Sequence, residues 1–153
     1  MTVQIRPIAD GDFFNWIGLY EGYNSFYNKQ LTDQKALILW SWLVDKNHES
    51  FGYVAEEDGE LIGLAHLREF ARPLDASRGL FLDDLYVADS ARGNGVGAAL
   101  LETAKDYARE NRLSVVRWIT ASDNEVAQLL YDKVAERTDW VTYDMDPNAE
   151  GGA

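Results

Sequence analysis

Arg92, Gly93, Gly95 and Gly97 stand at the head of a helical run that extends to Ala108, and their types and spacing suit them to binding an anion. They lie within Asp84–Tyr107, where a β-rich segment enters a loop and the loop enters a helix. The helix is clear from Val96, Ala99, Leu100, Thr103, Ala104, Tyr107 and Ala108, which recur at i, i+3, i+4 and i+7. Glycines at such a junction let the backbone approach a ligand and turn its N–H groups outward. The helix N-terminus adds free donors and a partial positive charge. Together they form an anion site that needs little side-chain charge, with Arg92 as one cation at its mouth. A Walker A loop is excluded, because no Gly-Lys-Ser/Thr follows. The dinucleotide fingerprint fits poorly, because these glycines lie two apart and the loop follows most of the sheet-forming sequence instead of opening it. The alternative is that the glycines only close a strand-to-helix turn.

The loop must be held by the elements around it. Met1–Pro7 alternates as a short strand, with Val3 and Ile5 apolar. Asp10 is placed to cap a first helix over Gly11–Tyr27, carrying Phe13, Trp16, Ile17 and Tyr20 on one face and a break at Gly22. Thr32 and Asp33 cap a second helix with Ala36, Leu39, Trp40 and Leu43 inward. Phe51–Glu56 and Glu60–Phe70 form a hairpin about Asp58-Gly59. In the second arm Leu61, Gly63, Ala65 and Leu67 face one way, and Ile62, Leu64, His66 and Arg68 the other. Leu80–Val87 is the next strand, then the glycine loop and its helix. Leu113–Thr120 reads as a buried strand, Asn124–Glu136 as a helix and Thr138–Met145 as a last strand. The order β-α-α-β-β-β-α-β-α-β predicts one α/β (α+β) domain over residues 1–146, with a mixed, mostly antiparallel sheet of six or seven strands and about four helices. Residues 147–153 read as a flexible tail.

The 153 residues carry 26 acidic and 14 basic side chains, a net charge of −12. Nucleic acid and anionic membrane surfaces are disfavoured as partners, since both require a cationic face. A small cationic substrate is drawn in by such a field. There is no Cys, which removes disulfides, thiolate metal sites and thiol nucleophiles together. No metal is expected. Met1–Asp10 lacks the basic and apolar regions of a signal peptide, and no apolar run approaches the ~20 residues of a membrane span. The expected location is cytoplasmic.

Arg92-x-x-Gly95-x-Gly97, after the strand Leu82-Asp-Asp-Leu-Tyr-Val87, resembles the acetyl-CoA pyrophosphate loop of the GNAT superfamily of N-acetyltransferases. Asn124-Glu-Val-Ala-Gln-Leu-Leu-Tyr131-Asp-Lys133 resembles that family's second conserved block, although Val134–Trp140 lacks the Gly-Phe that often follows. Phe26-Tyr27 and the Tyr-Asp-Met near the end are most similar to the histone and polyamine acetyltransferase subgroup. The resemblance implies acetyl-CoA as acetyl donor and direct transfer to a primary amine, without a covalent enzyme intermediate. It also implies a cleft between the strands Leu80–Val87 and Leu113–Thr120.

Within that frame, Leu85, Tyr86 and Val87 would pair with pantetheine. Arg92, Gly93, Asn94, Gly95, Val96, Gly97 and Ala98 would hold the pyrophosphate. Asn124 would reach the pantetheine arm, and it also suits a helix N-cap. Tyr131 falls at the position of the general acid that assists departure of the CoA thiolate. Asp83 falls at an acidic substrate-contacting position and is taken as the base. Asp84 is held in reserve on the substrate side, and His66 is a further candidate with a suitable pKa. Glu21 and Tyr23 would line the acceptor side. The expected acceptor is small and cationic: a polyamine, an amino acid or an aminoglycoside. Protein amines, and a CoA-binding sensor without turnover, are the alternatives. The subgroup resemblance implies a homodimer.

Overall fold

The computed structural model describes residues 2–150. Residues 151–153 of the expected tail, and Met1, lie outside the described residues. The chain divides into two compact units, Met1–Ile119 and Thr120–Ala153.

The first unit is built on a five-stranded sheet in the order β1-β2-β3-β4-β5. Its strands are β1 (Gln4–Pro7), β2 (Ser50–Glu57), β3 (Glu60–Arg72), β4 (Ser77–Val87) and β5 (Val116–Arg117). The first four are antiparallel neighbours, and β5 is parallel to β4. Helices α1 (Phe13–Phe26), α2 (Asp33–Val44) and α3 (Val96–Glu110) belong to this unit. The hairpin turn has Asp58 at φ 51° and Gly59 at φ 81°. Two consecutive positive values make the tight turn whose twist matches the strands.

Adjacent residues of β3 show how the faces are used. Gly63 lies against Val96 and Leu100 of α3, and a Cβ there would come within 3.1–3.2 Å of both. The next residue, Leu64, packs in a buried cluster with Trp16 and Leu19 of α1, Ala36 and Leu43 of α2, and Val54 of β2. So α1 and α2 cover one face and α3 the other. Strict alternation does not hold throughout β3. Ala55 pairs with Gly63 but Glu56 with Leu61, so Ile62 is an extra residue. This bulge turns Leu61 into the Leu64 cluster, away from the face on which alternation alone put it.

The start of α1 also differs from expectation. Asp10 is exposed in a 3-10 turn, Asp10–Asp12, and Asp12 takes the N-cap position of α1 with its side chain bonded backward, away from the helix's first turn. The Asp12 carboxylate accepts Ala9 N–H at 2.8 Å and receives Arg6 of β1 bidentately at 2.7 and 2.9 Å. Arg6 also donates to Glu56 of β2 at 2.7 Å. The Arg6 hydrogen bond is the main reason the Asp12 carboxyl lies below its usual range. This network ties the sheet edge to the helix that overlies the site. Helix α1 continues through Gly22 without a break. The glycine serves close approach instead, since a Cβ at 22 would stand 2.6 Å from the Tyr86 hydroxyl on β4.

Two expected strands are reduced. The segment Leu113–Thr120 forms a ladder only over Val116–Arg117. Its hydrogen bonds to β4 are confined to the start of that strand, from Ser114 N–H to Arg78 O and from Leu80 N–H to Val115 O. Thr138–Met145 forms no strand, so the sheet has five strands and not six or seven. An alternating sequence permits extended backbone, but a strand exists only where an edge supplies ladder bonds. In the second unit, α4 (Glu125–Val134) is capped by Asn124, whose side chain accepts Ala127 N–H at 3.4 Å.

Candidate active site

A buried polar relay lies where α1 crosses β3 and β4. The Trp16 indole N–H donates to His66 Nε2 at 3.0 Å, and His66 Nδ1 lies 2.8 Å from Asp84 Oδ2. An indole nitrogen can only donate, so Nε2 must accept and the ring proton sits on Nδ1, directed at Asp84. His66 is 3% exposed and has both ring nitrogens engaged. It is therefore not placed to take a proton from an acceptor, as one of the sequence-based alternatives required. The Tyr20 hydroxyl donates to the same Asp84 oxygen at 3.1 Å. Burial alone would push the Asp84 carboxyl up, but hydrogen bonds from His66, Tyr23 and Tyr20 outweigh it and hold the group below its usual range. The burial that resists charging of Tyr20 and Tyr23, and the Asp84 charge beside them, push both phenols well up. Trp16, Tyr20 and Tyr23 stack in sequence along α1 at 5.3 and 5.6 Å, at the i, i+4, i+7 spacing of one helix face.

Asp83 is a different kind of carboxylate. His66 pairs with Asp84 and Leu67 with Leu82, so Asp83 is the unpaired residue of a second bulge. A bulge re-aims the extra side chain, and this one meets Arg68 at 3.0 Å. Burial pushes the Asp83 carboxyl above its usual range, Arg68 offsets this only in part, and Asp84 adds to it. Two adjacent carboxylates thus differ in proton affinity. Asp84 is fixed as an anion, while Asp83 is tuned toward accepting a proton. Glu21 is exposed near the C-terminal half of α1.

The anion-binding loop follows directly. Gly93 and Gly95 have φ of 82° and 80°, values that disfavour any side chain, and a Cβ at either position would meet nothing within 4 Å. Gly95 is the N-cap of the fifteen-residue α3 and offers no side chain to the first turn. The N–H groups of that turn have no partner within the helix. Arg92 lies alongside, donating to Val87 O at 3.1 Å and pairing with Asp89 at 3.0 Å. Its guanidinium stands 5.7 Å from the rings of both Phe26 and Tyr86. Leu85, Tyr86 and Val87 pair with Ala65, Leu64 and Gly63 on one side. Among the described residues no strand pairs with their other side, because β5 joins β4 only at its start. A free strand edge running into a glycine-lined helix N-terminus suits an elongated ligand that carries amide groups and ends in phosphates.

Asn124 and Tyr131 both lie on the second unit, as N-cap and as a part-buried residue of α4. Trp16 as the partner of His66, Tyr20 as a partner of Asp84 and Arg68 as the partner of Asp83 were not evident in the sequence. The available signal was a lone His on a strand face opposite a Trp–Tyr helix face. An open groove of about 700 Å³, lined by residues such as His48, Phe51, Arg78 and Tyr107, contains none of these groups.

The family model described as "Acetyltransferase (GNAT) family" matches residues 16–135. The chain is similar to the D-amino-acid N-acetyltransferase HPA3 of Saccharomyces cerevisiae, 32% identical over 92% of this chain and 89% of that protein. It is 34% identical to the uncharacterized N-acetyltransferase YhfO of Bacillus subtilis, over 97% of this chain and all of the other. Among solved structures, one described as a probable acetyltransferase superposes with a TM-score of 0.84 at 31% identity, covering 96% of this chain and 99% of that one.

Proposed function

This chain belongs to the acetyltransferase (GNAT) family and is an acetyl-CoA-dependent N-acetyltransferase, and on that premise we propose that it acetylates the primary amine of a small cationic acceptor. The class includes polyamines, amino acids and aminoglycosides. The observation that carries the reading is the pair of unlike carboxylates, Asp83 and Asp84, on the strand that leads into the glycine loop. Cytoplasmic location belongs to the same proposal, as does a homodimer, which rests on the subgroup resemblance set out above.

Acetyl-CoA supplies an acetyl group on a thioester, ready for attack by nitrogen. The N–H groups from Gly93 to Ala98 receive its diphosphate, with Arg92 beside them. The free edge at Leu85–Val87 pairs with the pantetheine arm, and Asn124 contacts that arm. Asp84, held ionised by His66 and Tyr20, attracts the acceptor's ammonium group. An amine of pKa near 10.4 must lose a proton before it can attack. Asp83 takes that proton, directly or through water, as the new C–N bond forms. The C–S bond breaks, and the Tyr131 hydroxyl donates toward the departing sulfur. Glu21 and Tyr23 line the acceptor side.

Thiol release tests this with no background from the chain, which has no Cys. Acetyl-CoA is presented with spermidine, lysine in both enantiomers, an aminoglycoside and a histone-tail peptide. Release with a small amine is the expected result. Release with the peptide alone would move the acceptor to protein amines, and tight acetyl-CoA binding with no release would favour the sensor alternative.

Loop geometry gives a separate prediction. At φ 80°, Gly95→Ala meets no steric neighbour but carries the left-handed cost of about 1–2 kcal/mol. Because the folded loop itself holds this conformation, the cost falls on folding: stability read from urea unfolding is expected to drop by about that amount, and by less in Gly95→Asn, which tolerates the conformation better.

A further inference from the structure

Arg68, Phe81 and Arg117 form one row across the sheet, because Phe81 of β4 is the ladder partner of Arg68 on β3 and of Arg117 on β5. Ladder partners share a face, and Arg68 lies two residues beyond His66 on β3. The row therefore stands on the α1 side, with Arg68 in contact with Asp83 and Arg117 over Phe70. The Arg68 guanidinium lies 4.6 Å from the Phe81 ring and Arg117 lies 5.8 Å from the Phe70 ring. The two rings meet edge to face at 6.1 Å.

Of the two cations, Arg68 is paired with Asp83 through one edge only, and Arg117 makes no ion pair among the described residues. Arg68 uses only its Nε on Asp83, at 3.0 and 3.2 Å. A guanidinium carries five N–H donors, so its terminal nitrogens keep theirs. Arg117 is part-buried, and among the described residues no carboxylate lies within ion-pair distance of it. Of the other arginines, Arg6, Arg72, Arg78, Arg92 and Arg109 each pair with an acid, while Arg112 and Arg137 have no ion pair among the described residues but are exposed. In a chain with 26 acidic residues, a part-buried guanidinium without an anion is a cation kept in reserve. Its ring contact offsets only part of the lost hydration.

We infer that Arg68 and Arg117 form a carboxylate subsite, and that the acceptor is an α-amino acid. This rests on the transferase reading above and narrows it. An α-amino acid carries its ammonium and carboxylate on one carbon, and the Asp83–Arg68 pair presents the two complementary charges in contact. The ammonium turns to Asp84 and Asp83, and the carboxylate to the free donors of Arg68 and to Arg117. A polyamine would instead bring cations against Arg117, which selects against it.

The test compares kcat/KM by thiol release for methionine and methioninamide, each in both enantiomers, with spermidine alongside. The amide's amine is the less basic and loses its proton more readily, so chemistry alone favours the amide. The expected result is an acid-to-amide ratio of about 100, since a site built to bond a group discriminates strongly against its absence. In Arg117→Met the ratio is expected to fall to within about threefold of unity, with partial recovery in Arg117→Lys. The ratio is taken on one sample, so loss of folded protein does not move it. Equal or better turnover of the amides, or a ratio retained in Arg117→Met, would overturn the subsite. Turnover of spermidine without amino acids would overturn it and leave the transferase reading standing. Acetyl-CoA binding with no amine turned over would remove both.

Discussion

Tyr131→Phe is expected to lower kcat about 100- to 1000-fold while acetyl-CoA affinity stays within about twofold. The substitution keeps the ring and removes only the hydroxyl, so the helix face on which it sits is preserved. On the role proposed for Tyr131, the loss that lowers kcat is the proton or hydrogen bond offered to sulfur as the C–S bond breaks. A thiol of pKa near 8.5 makes a fairly stable anion. The donor's share therefore falls in the lower part of the 10²–10⁴ range for a positioned acid. Equilibrium binding and single-turnover rates separate the two effects. A parallel loss in acetyl-CoA affinity and kcat would mark Tyr131 as a packing residue. An unaltered kcat would show that the thiolate leaves without help from this group.

Features with a local physical cause were legible in the sequence. The period of Val96–Ala108 survives as the buried face of α3, where Val96, Leu100, Leu101, Ala104 and Ala108 are inside. Asp58-Gly59 makes its turn because both residues tolerate positive φ. Thr32 caps α2 by accepting Lys35 N–H, and Asn124 caps α4. Features defined between distant residues were not legible. Trp16 and His66 lie 50 positions apart, and His66 and Asp84 lie 18 apart. No periodicity within one segment announces their alignment. The bulge that isolates Asp83 is a property of two strands counted against each other, and β4 alone looks regular. The same holds for Ile62, which moves Leu61 to the other face. Thr138–Met145 shows the converse: alternation was present, but pairing depends on an edge that a sequence pattern does not supply. The acidic pair was visible as two adjacent residues. Their opposite tuning was not, because it comes from the burial of Asp83 in the folded chain and from His66, Tyr23 and Tyr20 around Asp84 on other elements.

That opposite tuning sets the second large effect. Asp84→Ala is expected to destabilise the protein by about 3–4 kcal/mol at pH 7, read from urea unfolding. The substitution leaves the buried His66 Nδ1–H and the Tyr20 hydroxyl without their acceptor, and each unsatisfied group costs about 1–3 kcal/mol. Asp84→Asn restores an acceptor oxygen but not the charge, and is expected to cost about 1 kcal/mol. The pH dependence separates charge from packing. The folded Asp84 carboxyl lies below its ordinary value. Its contribution is complete well above pH 4 and is lost as pH falls through the folded value. The gap between wild type and Asp84→Asn should therefore be full at pH 7 and close as pH falls through the folded value. Asp83 has the reverse sign, since its carboxyl is raised. Ionising it opposes folding as pH rises through the folded value, so Asp83→Asn should be neutral to slightly stabilising at pH 7 while abolishing most turnover. A stable but inactive Asp83→Asn beside a destabilised Asp84→Ala would distinguish the proton acceptor from the anchor. Equal destabilisation by both, unchanged from pH 7 to pH 3, would leave the two carboxylates with one structural role and no division of labour.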